Sequence, residues 1–117
     1  MKNTLLVVLS LVWLVNPVMG HPPSNVTASY DPASQVLTVV IFHNTVAPAA
    51  HFVKKATLTV NGKEFLAQSF GSQYDKQRQV VMAVIPGLKT GLSFIVKADC
   101  NLWGTLEKEL RVEVGGK

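Results

Sequence analysis

The sequence predicts an all-β fold, an Ig-like seven-stranded antiparallel β-sandwich, and three observations support this prediction. Short segments rich in Val, Ile, Thr and Phe alternate apolar and polar residues with the period of two that half-buried strands require. Turn-forming pairs such as Asp-Pro, Asn-Gly and Pro-Gly separate these segments at regular spacing. Seven such segments in about one hundred residues are typical of an immunoglobulin-like sandwich.

The first four predicted strands occupy residues 26–30, 35–43, 51–60 and 63–70. An Asp-Pro turn follows the first strand, because proline presets the φ angle that a turn needs. The stretch NTVAPAA between the second and third strands interrupts the alternation and indicates a loop. Asn61-Gly62 joins the third and fourth strands, and this pair is the strongest short-range signal for a hairpin with a type I′ turn.

The last three predicted strands occupy residues 78–85, 92–100 and 105–114. The polar loop GSQYDKQ precedes the first of them, a Pro-Gly pair ends it, and NLWG separates the last two. TLEKEL has helical propensity, but its continuation RVEV alternates as a strand does. The predicted inward-facing residues are Leu37, Val39, Ile41, Leu58, Val60, Val81, Ala83, Ile85, Phe94 and Val96.

The first twenty residues have the features of a secretory signal peptide, so residues 21–117 are predicted to form the single folded domain. Lys2 precedes the apolar run Leu5–Val15, which is shorter than the ~20 apolar residues that a membrane-spanning helix needs. Val18 and Gly20 occupy the −3 and −1 positions of a cleavage site. We therefore expect cleavage after Gly20 and a periplasmic or secreted protein that keeps no stable membrane anchor.

Charge and cysteine content restrict the classes of partner. The net charge is +4, and the basic residues are scattered, with Lys54-Lys55 as the one adjacent pair. Nucleic-acid-binding proteins carry clustered basic residues, so this distribution argues against a nucleic-acid partner. Cys100 is the single cysteine and therefore forms no internal disulfide. The sequence also lacks a glycine-rich phosphate loop and a C-x-x-C zinc pair.

All three histidines and the cysteine lie at strand ends or before the first strand. His43 and His51 flank the second connection between strands, Cys100 opens the sixth, and His21 precedes the first strand. In an antiparallel sandwich every second connection lies at the same end, so these four residues are predicted to converge. Imidazole binds Fe, Cu and Zn, and a thiolate donates electron density strongly. The convergence predicts a metal site, whereas a strand-end histidine taken singly is usually solvated.

The chain resembles the iron domain of desulfoferrodoxin and superoxide reductase. The features that carry the resemblance are a strand that ends in histidine, the tripeptide HFV after a loop, an NGK hairpin, and the turn CNLWG. They extend over nearly all of residues 21–114. The resemblance implies an Ig-like sandwich with one mononuclear iron, bound by four equatorial histidines and one axial cysteine. It also implies superoxide as the substrate, hydrogen peroxide as the product and an electron donor of unknown identity.

Carried onto this sequence, the resemblance assigns His43 and His51 to two equatorial positions and Cys100 to the axial thiolate. His21 matches an earlier histidine of the family, which there lies in a loop. The family turn reads C-N-x-H-G, and here Trp103 stands in place of the fourth histidine. Tryptophan donates only through its indole N–H and cannot be a metal ligand. If cleavage exposes His21, its α-amine together with its ring would restore the number of nitrogen ligands.

Two alternatives belong to other functional classes. The first is an exported copper-binding protein, in which the amine and ring of an N-terminal His21 bind copper with a second histidine in the arrangement called a histidine brace. The second is a binding domain that has lost its metal site, an interpretation that the tryptophan in the fourth histidine position favours. Its contact surface would be formed by Phe52, Tyr74 and Trp103.

Overall fold

The computed structural model describes residues 20–114 and contains seven β-strands in that range. The strands are β1 (Asn25–Asp31), β2 (Val36–Phe42), β3 (Val53–Val60), β4 (Lys63–Ser69), β5 (Arg78–Val84), β6 (Ser93–Cys100) and β7 (Thr105–Arg111). Apart from Gly20, the predicted signal peptide lies outside the described residues. Within residues 20–114, no helix has the length and apolar character that crossing a membrane would require.

The strands form two antiparallel sheets, which confirms the predicted all-β sandwich. One sheet has the order β1-β2-β5 and the other the order β4-β3-β6-β7. β4 pairs with β3, as the predicted hairpin requires, because a two-residue turn brings the next strand back alongside the previous one. Asn61 and Gly62 have φ angles of 51° and 79°, as a type I′ turn requires.

The core lies between the two sheets and is built from alternate residues of each strand. On β2, Leu37, Val39 and Ile41 are buried, while the intervening residues are half-buried. Seven of the ten predicted inward-facing residues are buried, and the other three, Val60, Ala83 and Ile85, are partly exposed. Burying one large aliphatic or aromatic side chain stabilises the fold by roughly 1.5–3 kcal/mol, so this row of residues explains why the two sheets stay together.

The connections between strands, together with the segment before β1, lie at two opposite ends of the sandwich, which we call the site end and the far end. The site end comprises residues 20–24, 43–52, 70–77 and 101–104, and the far end comprises residues 32–35, 61–62 and 85–92. Backbone hydrogen bonds join the loops of the site end, from Gln73 N–H to the Pro48 carbonyl (3.0 Å) and from Asn101 N–H to the Phe52 carbonyl (2.9 Å). The second, fourth and sixth connections therefore lie together, as the strand count predicts.

Candidate metal centre

Three histidines from separate parts of the chain meet at the site end. We call His21, His43 and His51 the histidine group; one ligand atom from each lies within 4.8 Å of those of the other two. The ring centroids are 4.7 Å apart for His21 and His43, 4.9 Å for His21 and His51, and 4.6 Å for His43 and His51. Two nitrogens that bind one ion at about 2.1 Å are at most about 4.2 Å apart, so the histidine group is close to binding separation.

The pairing of β1 with β2 brings His21 beside His43. Asn25 lies opposite Phe42, and Ser24 N–H donates to the Phe42 carbonyl at 2.8 Å, so the residues before β1 run alongside those after β2. The two prolines that follow His21 fix φ and keep this segment extended. The register of one hairpin thus accounts for two members of the histidine group.

A compact turn within the second connection returns the chain to His51. The backbone N–H groups of Ala50 and His51 both donate to the Ala47 carbonyl, at 2.9 and 2.8 Å. The Thr45 hydroxyl accepts a hydrogen bond from Ala47 N–H at 3.1 Å, which holds the start of the same turn. Because β3 begins two residues after His51, this turn places the His51 ring next to that of His43.

The three imidazoles differ in exposure and in hydrogen bonding. His21 is exposed, His51 is half-buried, and His43 is 1% exposed. The His51 Nε2 atom is shielded from solvent and has no hydrogen-bond partner among the described residues. Leaving such an atom unpaired costs about 1–3 kcal/mol, and a bound cation would satisfy its lone pair. This orphaned nitrogen is the observation that shows that the residues present suit a metal ion.

The electrostatic environment of the histidine group favours the neutral form of the His51 ring, which is the form that binds a cation. Burial lowers the pKa of His51, and the positive charge that His43 and His21 can carry lowers this pKa further. A lowered pKa means that the ring stays neutral at a more acidic pH than a free histidine does. Only the neutral ring has a nitrogen lone pair available for a metal.

Both ring nitrogens of His43 lie close to an oxygen atom. Nδ1 is 2.8 Å from Oε1 of the Gln73 side chain, and Nε2 is 3.0 Å from the His21 carbonyl oxygen. Gln73 is buried in the loop between β4 and β5. Its Nε2 donates to the carbonyls of His43 (2.6 Å) and Asp75 (2.9 Å), and its Oε1 accepts from Val53 N–H (3.2 Å). In the sequence, the one signal that marks Gln73 as a site residue is its place in a loop of the site end, so it is absent from the predicted site residues.

Cys100 lies at the site end but outside the histidine group. It is the last residue of β6, its side chain is buried, and its backbone lies opposite Val53. The group of possible ligand atoms within 4.8 Å of one another contains the three imidazoles and not the Cys100 sulfur. The structure thus brings together three of the four predicted site residues, and the role of Cys100 as a ligand stays a prediction.

Asn101 connects the CNLWG turn to the loop that carries His51. Its Oδ1 accepts from Phe52 N–H at 2.8 Å, and its Nδ2 donates to the Ala50 carbonyl at 3.0 Å. These two backbone groups belong to the residues on either side of His51. The side chain of Asn101 therefore fixes the backbone at His51, which explains in physical terms why an asparagine follows the cysteine.

Trp103, which stands where the family turn has a fourth histidine, is 63% exposed. An indole has no nitrogen lone pair for a metal, so this residue adds no ligand to the histidine group. The next residue, Gly104, has a φ of +99°, and a Cβ atom there would lie 2.8 Å from the Pro22 nitrogen. The segment that carries His21 thus packs directly on this turn, where only glycine fits.

Comparison with known proteins finds a limited similarity among solved structures. No protein-family model matches the chain, and no curated protein matches it. Among solved structures, it is similar to the superoxide reductase (neelaredoxin) from Ignicoccus hospitalis, with 18% identity and a TM-score of 0.46 over 81% of each chain. For a variant of that protein the identity is 16% and the TM-score 0.45, over 78% of this chain and 80% of the other. A similarity of this degree assigns no function to this chain.

Proposed function

We propose that this protein binds one mononuclear iron ion through the histidine group and reduces superoxide to hydrogen peroxide. The observation that carries the proposal is the meeting of His21, His43 and His51 with ligand atoms within 4.8 Å of one another. They come from three separate stretches of chain, and one of them, His51, has a buried nitrogen that finds no partner within residues 20–114. Imidazole is a good ligand for iron, copper and zinc, so the donor set suits a transition metal.

The three histidines would lie on different sides of such a centre. His43 is buried and His51 is half-buried, so these two would define the inner side of the site. His21 is exposed and forms the side that faces solvent. A small anion would therefore reach the histidine group from the side of His21, and the net charge of +3 that the chain keeps after the loss of Lys2 would assist its approach.

The chemistry requires one electron and two protons for each superoxide. A ferrous ion held by the histidine group would supply the electron, solvent would supply the two protons, and an external electron donor would be needed for each further turnover. We propose Cys100 as a further ligand, whose thiolate raises the electron density available to the site. The sequence resemblance supports this role, and its burial at the same end of the sandwich is consistent with it.

The proposal includes export and cleavage after Gly20. The mature chain would then begin with His21, and its free α-amine would add a nitrogen donor beside the ring. That donor would compensate for the tryptophan that stands at the fourth histidine position. Adding one residue before His21 should then weaken metal binding, and an unchanged metal affinity would remove this part of the proposal.

The direct test is anaerobic titration of the purified metal-free protein with Fe(II). We expect about one ion per chain, and we expect His43→Gln and His51→Gln to reduce the affinity strongly while the far end keeps its fold. Cys100→Ser is the separate test of the thiolate. It should remove any thiolate-to-iron charge-transfer absorption and the reduction of superoxide. Full activity in the Cys100→Ser variant would contradict the axial role, and failure of the wild-type protein to bind metal would support a domain that has lost its site.

Copper is the second candidate, and one observation favours it. The group of converging ligand atoms consists of imidazole nitrogens without the thiolate, a donor set that also suits Cu(II). Competitive loading with Fe(II), Cu(II) and Zn(II) separates the two candidates. Preferential retention of copper, with no superoxide reduction by the iron-loaded form, would replace the first proposal by a copper-binding function.

A further inference from the structure

Three backbone groups fix the orientation of the Gln73 side-chain amide. An amide has an NH₂ group that only donates and an oxygen that only accepts. The NH₂ group faces the carbonyls of His43 and Asp75, and the oxygen faces Val53 N–H. Turning the amide over would place its oxygen against two carbonyls and its NH₂ against an N–H group. The oxygen of Gln73 is therefore the atom that faces the His43 ring.

This orientation favours a proton on Nδ1 of His43. Nδ1 lies 2.8 Å from Oε1 of Gln73, and Nε2 lies 3.0 Å from the His21 carbonyl oxygen; both oxygens only accept. A neutral imidazole has one N–H group, so the two oxygens compete for it. The contact with Gln73 is shorter and buried, whereas the contact with the carbonyl of the exposed His21 is only partly buried, so the amide of Gln73 is the better-placed acceptor.

A proton on Nδ1 leaves the lone pair of Nε2 directed at the His21 carbonyl oxygen, 3.0 Å away. Two lone pairs at this distance repel, and a cation bound at Nε2 would relieve the repulsion. The rings of His21 and His51 lie beside that of His43, with centroids 4.7 and 4.6 Å away.

Backbone hydrogen bonds attach the loop of Gln73, residues 70–77, to the connection that carries His43, residues 43–52. Gln73 N–H donates to the Pro48 carbonyl, and His43 N–H donates to the Gln77 carbonyl, both at 3.0 Å. Nε2 of the buried Gln79 donates to the Ser72 carbonyl at 2.9 Å and holds the beginning of the loop. The Gln73 amide is only 6% exposed, so water does not compete for it.

We infer that Gln73 is a positioning residue of the proposed metal centre: its amide holds His43 in the Nδ1–H tautomer and directs Nε2 at the metal. The inference rests on the proposed function. A hydrogen bond from the second ring nitrogen of a metal-binding histidine orients the ring and raises its basicity, and loss of such a partner lowers metal affinity about 10–100-fold.

The tautomer is measured in the metal-free protein by ¹⁵N NMR of the imidazole rings at about pH 8.5, well above the ordinary pKa of histidine. We expect His43 of the wild-type protein to carry its proton on Nδ1. A proton on Nε2 would overturn the inference. This readout does not depend on metal binding, so the inference and the proposed function can fail separately.

Two substitutions at Gln73 separate positioning from a purely structural role. Gln73→Leu removes the acceptor, and we expect the Nδ1–H tautomer to lose its dominance and the affinity for Fe(II) or Zn(II) to fall about 10–100-fold. Gln73→Glu keeps an acceptor for Nδ1 but removes both NH₂ donors. It should destabilise the fold and yet retain the Nδ1–H signal. If Gln73 had only a structural role, the Gln73→Glu and Gln73→Leu variants would change the tautomer of His43 in the same way. That result would refute the inference.

Tyr30→Phe is the control. The Tyr30 hydroxyl also donates to a backbone carbonyl, that of Ile85 at 2.7 Å, but this bond lies at the far end, away from the loop of Gln73. We expect this variant to lose stability and to keep both the tautomer of His43 and the metal affinity of the wild-type protein. If Gln73→Leu does not fold, the wild-type tautomer and the Gln73→Glu variant decide the question. Wild-type metal affinity in a folded Gln73→Leu protein would contradict the inference.

Discussion

The two ends of this sandwich are closed in different ways. At the far end, two of the three connections, residues 32–35 and 61–62, are short turns, and the Asn61-Gly62 pair closes β3 on β4 through its own backbone geometry. At the site end, two of the three connections, residues 43–52 and 70–77, are longer loops, and the amide side chains of Gln73 and Asn101 fasten them to the backbone of other loops. Fixing each loop residue costs roughly 1–2 kcal/mol of conformational entropy, so long loops stay ordered only where such bonds offset that cost. Hydrogen bonds of side chains therefore keep the loops of the site end ordered, and the arrangement of the histidine group depends on these loops.

The same substitution at two glycines gives the sharpest test of this difference. Gly104 at the site end and Gly62 at the far end both have positive φ. Gly104→Ala adds a Cβ atom that would lie 2.8 Å from the Pro22 nitrogen, whereas the space around Gly62 is open. We expect Gly104→Ala to lower the free energy of unfolding by about 3 kcal/mol, since overpacking adds to strain in φ. Chemical denaturation measures the loss, and metal affinity should fall as well because Pro22 adjoins His21.

Gly62→Ala is the control for that experiment. The added methyl group meets nothing within 4 Å, so only the strain of a positive φ remains. We expect a loss of about 1 kcal/mol and an unchanged metal affinity. Equal losses in the two alanine variants would show that contact with Pro22 contributes nothing.

The bonds of Asn101 provide a second test at the site end. Asn101→Ala leaves Phe52 N–H and the Ala50 carbonyl without their partners, and we expect the free energy of unfolding to fall by about 2 kcal/mol. Since both groups flank His51, the affinity for Fe(II) should fall together with stability. A stable variant with lowered affinity would mean that the bonds position His51 without stabilising the fold. Unchanged affinity would contradict the positioning role.

Tyr30 offers the corresponding side-chain bond at the far end. Its hydroxyl donates to the Ile85 carbonyl at 2.7 Å, while the ring is buried in the core. Tyr30→Phe keeps the ring and removes this bond, so we expect a loss of about 1 kcal/mol in urea denaturation. Metal affinity should stay at the wild-type value. A parallel fall in affinity would show that the two ends are coupled through the core.

The strands and the end at which each loop lies could be predicted from the sequence because both follow from local patterns. Alternation identifies β2, the Asn-Gly pair identifies the β3–β4 hairpin, and counting connections places the three histidines together. The contacts of Gln73 could not be predicted. They join a polar loop residue to backbone groups 20 and 30 positions away in sequence, and no local propensity encodes such a pairing. Likewise, the sequence places Cys100 at the correct end without fixing the direction of its side chain.

The smallest expected effect concerns pH, and it separates the two ends again. Burial is the main cause that lowers the pKa of His51, and the positive charge that the neighbouring His43 and His21 can carry lowers this pKa further. As the pH falls below about 6.5, the unfolded chain therefore takes up a proton at this residue before the folded chain does, and the free energy of unfolding decreases. In the metal-free protein, denaturation measured between about pH 7.5 and 5 should show this decrease, and His51→Gln should reduce it.

The far end responds to pH in a lower range. The side-chain hydrogen bond from Ser34 and the backbone N–H of Ala33 lower the pKa of Asp31, the exposed last residue of β1. A carboxylate with a lowered pKa contributes stability above its unfolded value of 3.8, and that contribution disappears as the pH falls through the folded value. Asp31→Asn should therefore change the denaturation curves only below about pH 4 and leave the His51 range unchanged. A change near pH 6 in this variant would show that the site end is not the origin of the first decrease.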